Sequence, residues 1–365
     1  MAILPLVGHA AAREHVSRAI QSGTIPQTLL IAGPDGVGKQ RFALWIAQRL
    51  VCTRPGSPEP CGECLPCRKV LGLVHPDVHW FVPIQRPKAG EPDKQVEEAA
   101  EALAEVLEER RQRPLWGEPD GMWSHGIPSA RLLLKRVSLT PVEATRKVFI
   151  VGDAERLIAQ AGAEDAANAL LKALEEPPAD TVVLLTAGDP RRLLPTIRSR
   201  AVMLRLGRLS DEEVRGFLGS YLQPKLSPAG LNERVAAAEG SIGAALAEDG
   251  SVARYREAAA GLVEAALAGG KQSYERALRQ PPYQARGDFA AMLDALSALL
   301  GDAARERAGE VPRRAVPRAL KGRELSGLVL AAEKVQVARE AAQGNVNPQL
   351  VLVTLALELE EALCA

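Results

Sequence analysis

The sequence predicts an α/β domain followed by all-α domains. A phosphate-binding loop pattern at 33–40 stands between an apolar strand and a helix, and further apolar strand signals alternate with helices up to residue 206. From residue 207 onward the pattern is helical throughout. Strands that alternate with helices form mainly parallel sheets. We therefore expect a P-loop domain with a parallel sheet, then a small helical domain and a larger one.

The α/β part contains three strand signals and three helix signals. Apolar runs predict strands, helical periodicity predicts the helices, and two prolines end the last helix. The strands are predicted at 28–33, 147–153 and 181–187, and the helices at 11–22, from the loop through Arg49, and at 166–176 before Pro177 and Pro178.

Two capping signals mark the helical part. Ser210 with Glu213 three residues later is a capping-box pattern, and Asn347 followed by Pro348 predicts the start of the last helix. The predicted domains are 1–206, 207–250 and 254–365.

The composition carries no electrostatic signature of a nucleic-acid coat or of a membrane-surface protein. The chain has 365 residues, and its 45 Lys and Arg balance its 45 Asp and Glu. Any DNA contact must therefore be local or shared with partners. No run of about 18 uncharged apolar residues occurs. We expect a folded cytoplasmic protein without a membrane segment.

The loop GPDGVGKQ carries the first chemical signal. Backbone N–H groups around Gly33, Gly36 and Gly38 would cradle phosphate oxygens, and Lys39 would add a positive charge. Gln40 stands where the pattern requires a Ser or Thr hydroxyl to hold Mg²⁺. We expect this change to impair metal-assisted ATP hydrolysis more than nucleotide binding. The alternative interpretation of the whole loop is a glycine-rich turn that binds no ligand.

Hydrolysis also requires an acidic strand end, with Asp holding Mg²⁺ and Glu orienting the attacking water. The segment VFIVGDAERL has Gly152 and Asp153 at these places. Glu155 could substitute only if the strand shifted by two residues. The sequence therefore predicts two separate defects in one hydrolytic site.

Four cysteines crowd into residues 52–67. Cys52, Cys61, Cys64 and Cys67 have the spacing C-x₈-C-x₂-C-x₂-C, which is typical of a closed tetrahedral Zn²⁺ site with a structural role. Free or disulfide-paired cysteines are the alternative. The isolated Cys364 is interpreted as a small apolar residue.

A Pro-, Gly- and charge-rich insertion spans residues 84–126. It contains one amphipathic run at 93–113, with Val96, Leu103 and Leu107 at helical spacing. This run is interpreted as a solvated surface helix, with a partner-binding helix as the alternative.

Taken together, these motifs resemble the clamp-loader branch of the AAA+ ATPases. The blocks that carry the resemblance occur in the family's order over nearly the whole chain, apart from the insertion. They are LVGH (6–9), GPDGVGK (33–39), the four cysteines, HPDV (75–78), NALLKALEEPP (168–178), LLPTIRSR (193–200), GSIGAAL (240–246) and NPQL (347–350).

The resemblance implies an architecture and partners. It implies an AAA+ domain carrying the zinc module at 52–67, a helical lid, and a helical collar that assembles a hetero-pentamer with gamma/tau and delta subunits. Such a loader opens the sliding clamp and places it on primer-template DNA, using ATP bound between subunits.

The resemblance also assigns roles to Ser199 and Arg200. They match the family's Ser-Arg-Cys motif, in which the Arg is a finger that completes a neighbouring subunit's ATP site. Ala201 replaces the motif's Cys, and we expect this to affect only packing.

The resemblance also allows a comparison with gamma/tau, the family's ATP-hydrolysing subunit, and this comparison predicts that the present chain does not hydrolyse ATP itself. Gln40, Gly152 with Asp153, and Gly243 replace the hydrolytic hydroxyl, carboxylates and sensor Arg of gamma/tau. No Mg²⁺ site is expected, and occupancy by ATP or ADP stays open. The rivals are an ATP-hydrolysing subunit of the gamma/tau type, and a zinc loop that binds DNA or protein.

Overall fold

The computed structural model of the chain divides into two compact units, Met1–Leu246 and Ala247–Ala365. The first is α/β, and the described part of the second is helical, which confirms the predicted fold class. The boundaries of the predicted three-domain division stay a prediction. The structure describes residues 3–54, 56–85, 90–112, 123–157, 165–222, 225–246, 251–281, 288–312, 315–343 and 346–364.

A five-stranded parallel sheet forms the centre of the first unit, in the order β2-β5-β6-β1-β7. Every residue of β1, β5 and β6 is buried, which explains their continuous apolar sequences. The short edge strands β2 and β7 lack such a signal and were not predicted. The strands are β1 (Thr28–Ala32), β2 (Val78–Phe81), β3 (Ile84–Gln85), β4 (Trp123–Ser124), β5 (Lys147–Val151), β6 (Thr181–Ala187) and β7 (Val202–Arg205).

The predicted helices of this unit are confirmed to within two residues. α6 ends before Pro177 and Pro178, as expected from the missing proline N–H. The helices are α1 (Ala10–Gln21), α2 (Lys39–Val51), α3 (Leu65–Leu71), α4 (Pro92–Gln112), α5 (Ile127–Val137), α6 (Asp165–Glu175), α7 (Pro195–Arg198), α8 (Asp211–Tyr221), α9 (Pro228–Ala238) and α10 (Ile242–Leu246).

The last three helices of the first unit share an apolar cluster of their own, built around Val214, Phe217 and Val235. α8 begins at the predicted capping box. The Ser210 hydroxyl accepts from the Glu213 N–H at 3.2 Å, and the Glu213 carboxylate accepts from the Ser210 N–H at 2.8 Å. These helices lie within 207–250, where a lid domain is predicted, and the lid stays a prediction.

The second unit packs its helices around one apolar core that includes Leu293, Leu296 and Leu352. Asn347 caps its last helix, as predicted, and its Oδ1 accepts from the Gln349 N–H at 2.8 Å. Among the described helices, none combines the length and apolar character that a membrane crossing needs. The helices are α11 (Ser251–Ala268), α12 (Gly270–Leu278), α13 (Asp288–Arg307), α14 (Leu325–Gln343) and α15 (Pro348–Cys364).

The insertion is closed at its base by a short antiparallel ribbon, in which β3 pairs with β4. One face of α4 is buried, and its apolar members join the core around the sheet. These buried residues recur at helical spacing: Ala99, Leu103, Val106 and Arg110. The predicted amphipathic helix is therefore present, and its apolar face covers the chain's own core. Trp116 lies outside the described residues.

The HPDV block has a structural role. The buried Asp77 carboxylate accepts backbone N–H groups from Val142, Glu143 and Ala144 at 2.6–2.8 Å, while His75 Nδ1 accepts from the Asp77 N–H at 3.1 Å. Burial would raise the pKa of Asp77, but these N–H groups outweigh it and hold the pKa below its usual value. The carboxylate fixes the turn before β5.

Candidate nucleotide site and metal centre

The P-loop joins the carboxyl end of β1 to the first turn of α2. Gly36 and Gly38 have φ values of 73° and 100°, which other residues rarely adopt. Lys39 is only 6% exposed, and its Nζ lies 3.0 Å from the carbonyl oxygens of Gly33 and Pro34 and 3.1 Å from Asp35 Oδ1. The loop keeps the fold and the cation that phosphate binding requires.

α10 and the residue before it contact this loop directly. Ser241 Oγ donates to the Asp35 carbonyl at 2.9 Å, and the Gly243 N–H donates to the Gly36 carbonyl at 3.0 Å. A Cβ on Gly36 would stand 2.2 Å from Ser241 Oγ. His9, from the LVGH block, lies with Nε2 2.8 Å from the Val37 carbonyl. Two of the blocks that carry the resemblance therefore meet at the P-loop.

Gln40 links the loop to the end of β5 and to the insertion. Its Nε2 donates to Asp153 Oδ2 at 2.9 Å, and its Oε1 accepts from Arg110 Nη1 at 3.0 Å. The Arg110 guanidinium stacks 4.6 Å from the centre of the Trp80 ring. We call Arg110, Gln40 and Asp153 the Gln40 network. It occupies the face of the loop where the pattern would place a Mg²⁺-binding hydroxyl.

Gly152 leaves room for this network. A Cβ there would stand 2.8 Å from Gln40 Oε1, so a longer side chain could not share the space with Gln40. The backbone is fixed on both sides. The Gly152 N–H donates to the Phe81 carbonyl at 2.8 Å, and His125 Nε2 donates to the Gly152 carbonyl at 2.7 Å. The residues at this face therefore do not fit a carboxylate-bound Mg²⁺.

The network carries its own positive charge. Burial lowers the pKa of Arg110 to about 10, which still leaves the guanidinium protonated at neutral pH. Burial raises the pKa of Asp153 above its usual value, although Arg110, Gln40 and Lys39 all act to lower it. A protein cation therefore faces Asp153, on the side where a metal-dependent site would hold Mg²⁺.

Glu155 does not replace the missing strand-end carboxylate. β5 ends at Val151, and Glu155 lies in the 3₁₀ turn Ala154–Leu157. Its Oε1 accepts from the Gly188 N–H at 2.8 Å, while the buried Oε2 has no hydrogen-bond partner in the described part of the chain. Burial, helped by the charge of Asp153, raises the pKa of Glu155 to about 7.

Sequence reasoning missed Arg110. The residue belongs to the insertion, outside the blocks that carry the resemblance, and its partner Gln40 is 70 positions away. One signal was present. Arg110 comes seven residues after Leu103 and therefore lies on the buried face of α4, whereas a charged residue on a solvated helix is expected on the outer face.

Arg200 lies at the amino ends of the parallel strands, whereas the P-loop lies at their carboxyl ends. It precedes β7, whose first residue Val202 pairs with Leu29 of β1, whereas the P-loop follows the last residue of β1. Five residues of strand span about 16 Å, farther than an arginine side chain reaches. Ser199 stands beside it, with its Oγ donating to the Thr196 carbonyl at 3.1 Å.

The four predicted cysteines come together. Their sulfur atoms all lie within 4.8 Å of one another, with Cys52 3.6 Å from Cys61 and Cys61 4.0 Å from Cys67. Tetrahedral Zn–S bonds of about 2.3 Å place sulfurs about 3.8 Å apart, so the arrangement fits Zn²⁺. Burial would raise the pKa of Cys64, but N–H groups of Thr53 and Cys67 hold it at about 6, whereas burial raises the pKa of Cys67 above its usual value.

This cysteine cluster connects helices of the first unit. Cys52 follows the last residue of α2, and Cys64 precedes α3, in which Cys67 is fully buried. The loop between them is tied down as well, since Glu59 accepts from Trp45 Nε1 at 2.7 Å and pairs with Arg13 at 3.1 Å. A bound Zn²⁺ would hold these elements together.

Removing Zn²⁺ should destabilise the first unit. Because the cysteines join α2 to α3, we expect a chelator, or Cys64→Ser, to lower the melting temperature by on the order of 10 °C. Circular dichroism with and without chelator measures this. Cys364→Ser, at an exposed cysteine outside the cluster, is the matched control and should leave the melting temperature unchanged. A melting temperature insensitive to chelation would contradict a structural metal.

Gly152 and Gln40 should be energetically coupled. Gly152→Ala forces Gln40 away from its two hydrogen bonds, so we expect a loss of about 1–3 kcal/mol in the free energy of unfolding. In a Gln40→Ala background the same change should cost less than about 0.5 kcal/mol, because the space is then free. Denaturant titrations of the four variants measure the coupling. Gly207→Ala, where a Cβ meets nothing within 4 Å, should be neutral. Equal costs in both backgrounds would contradict the contact.

Comparison with known proteins identifies the family of the chain. A family model described as DNA polymerase III, delta subunit, matches residues 8–210, more than half of the chain. DNA polymerase III subunit delta' of Pseudomonas aeruginosa is 34% identical over 173 residues, covering 47% of this chain and 40% of that protein. Subunit delta' of Bacillus subtilis is 28% identical over 198 residues, covering 54% and 46%. The chain therefore matches less than half the length of these relatives.

One solved structure aligns with almost the whole chain at a low TM-score. The DNA polymerase III gamma subunit-related protein of Thermotoga maritima aligns with 96% of this chain and 99% of its own, at 18% identity and a TM-score of 0.38. The match of the family model over residues 8–210 is the decisive finding. The chain belongs to the DNA polymerase III delta subunit family, and its relatives include proteins named subunit delta' and others named subunit gamma/tau.

Proposed function

We propose that the chain is a delta'-type subunit of the DNA polymerase III clamp loader, which assists ATP-dependent loading of the sliding clamp onto primed DNA. The support is the family match together with the order of the sequence blocks, from the P-loop to the final NPQL. In this proposal the partners are gamma/tau and delta subunits in a hetero-pentamer, and primer-template DNA is bound through the complex. The helices from residue 254 onward would form its collar, and the protein would work in the cytoplasm.

The chain's own P-loop is proposed to be silent in hydrolysis. Lys39 and the loop glycines could hold the phosphates of ATP or ADP, but the Gln40 network takes the face where Mg²⁺ would bind. Without a metal or a strand-end carboxylate, the attacking water lacks its usual activation. The same observation opposes the rival reading as an ATP-hydrolysing gamma/tau-type subunit.

Arg200 is proposed to act on a neighbouring subunit, with Ser199 as the residue beside it that limits its position. The observation that carries this proposal is the place of Arg200 at the opposite sheet edge from Lys39. It cannot serve its own loop, and about a third of its side chain is exposed. A phosphate that it contacts would therefore belong to another chain.

Arg200→Ala should reduce ATP hydrolysis by the reassembled loader. An arginine finger contributes about 10³-fold or more in rate at the site it completes. The total rate should therefore fall by at least the part of the hydrolysis that takes place at the ATP site completed by Arg200. The measurement is clamp- and DNA-stimulated ATP hydrolysis in assemblies of equal yield. Arg200→Lys should restore little, because an ammonium cannot replace the guanidinium fork.

The matched variant on the other side of the sheet is Lys39→Ala. Since this chain's own loop is proposed to be silent, Lys39→Ala should leave the stimulated rate within about two-fold of the unmodified assembly. The reverse pattern, with loss on Lys39→Ala and none on Arg200→Ala, would mean that the chain hydrolyses ATP itself.

A further inference from the structure

The Arg200 guanidinium is held by groups of its own chain. Nη1 donates to the Thr196 carbonyl at 2.7 Å and lies 3.4 Å from Ser199 Oγ, while Nη2 forms an ion pair with the carboxylate of Glu175. Glu175 is the last residue of α6, and Thr196 lies in α7. Three acceptors from two helices and the following turn therefore fix the resting position of this side chain.

This arrangement competes with phosphate binding. A guanidinium recognises phosphate through two parallel N–H groups, and here both terminal nitrogens already have acceptors. The Glu175 carboxylate also neutralises the charge that would attract a phosphate, and it would repel a phosphate brought close to it. A phosphate that binds through the terminal nitrogens would compete with Glu175 for Nη2 and with the Thr196 carbonyl for Nη1.

The ion pair is weak enough to be exchanged. The Arg200 side chain is 32% exposed and that of Glu175 is 42% exposed, and solvent screens pairs of this kind. Glu175 stands at the C-terminal end of α6, where the negative end of the helix dipole destabilises a carboxylate. The nearby Arg200 cation offsets this effect, which favours the ion pair. The pair is therefore suited to a reversible contact.

We propose that Glu175 is a positioning residue that holds Arg200 in a resting position until the triphosphate of a neighbouring subunit displaces it. This inference rests on the proposed action of Arg200 on another chain and adds a regulator of that action. Before clamp and DNA bind, the resting contact keeps the finger withdrawn and lowers wasteful hydrolysis. In the stimulated assembly the phosphate outcompetes Glu175, so the contact no longer limits the rate.

Glu175→Gln in the reassembled loader tests the proposal. The basal rate, measured without clamp or DNA, should rise about two- to five-fold, the upper value being about 1 kcal/mol, which is the most that an exposed pair contributes. The rate with saturating clamp and primed DNA should stay within two-fold of the unmodified assembly. A purely structural role for Glu175 would instead change both rates in the same direction.

Two controls sharpen the comparison. Glu176→Gln makes the same change of charge at the next residue, which is exposed, and should leave both rates unchanged. In the double variant Glu175→Gln with Arg200→Ala, the basal rise should disappear, because the released arginine is absent. Melting temperatures of the isolated variants show whether each one folds.

Several results would overturn the proposal. If Arg200→Ala lowers the rate while Glu175→Gln leaves the basal rate unchanged, the resting contact is wrong although the finger stands. If Glu175→Gln lowers both rates as Arg200→Ala does, Glu175 aims the finger rather than withdrawing it. If Arg200→Ala itself has no effect, the proposed action on a neighbouring chain fails, and the role of Glu175 fails with it.

Discussion

Parallel pairing of the central strands is the constraint on which both functional faces depend. Because β5, β6 and β1 run in the same direction, the P-loop and the segment after β5 meet at one edge of the sheet. The same pairing places Arg200, which precedes β7, at the other edge. One sheet therefore separates the P-loop from a partly exposed arginine, and neither can assist the other within the chain.

At the carboxyl ends of the strands, side chains of the chain itself give Gln40 its hydrogen-bond partners. Buried polar groups without partners are costly, and Gln40 meets this requirement by accepting from Arg110 and donating to Asp153. The absence of a side chain at Gly152 makes the space for it. The Gln40 network thus stands beside a P-loop that keeps its fold, and the proposal that this loop does not hydrolyse ATP is based on that network. The insertion contributes a member of this network and is part of the site.

The sequence predicted those features that depend on local pattern. Caps such as Ser210 and Asn347 and the spacing of the four cysteines involve residues close in the chain, and the structure confirms them. The P-loop belongs to the same class. Its glycines and Lys39 are set by the strand and helix on either side, which the apolar pattern already indicated.

Features that depend on long-range contacts were not predictable in this way. Arg110 reaches Gln40 across 70 positions, and Asp77 holds a turn about 65 positions later. Glu175 meets Arg200 only because α6 packs against α7, which comes just before Arg200 in the chain. Periodicity identifies the helices that carry such residues but not the side chains that they will meet.

The most direct test of the silent P-loop is the effect of Mg²⁺ on nucleotide binding by the isolated chain. Calorimetric titration with ATP, in Mg²⁺ and in chelator, compares the two affinities. If the Gln40 network replaces the metal, the two dissociation constants should agree within about two-fold, or binding should be absent in both. A tightening by Mg²⁺ of about ten-fold or more would show that the chain still builds a metal site, and would contradict the account.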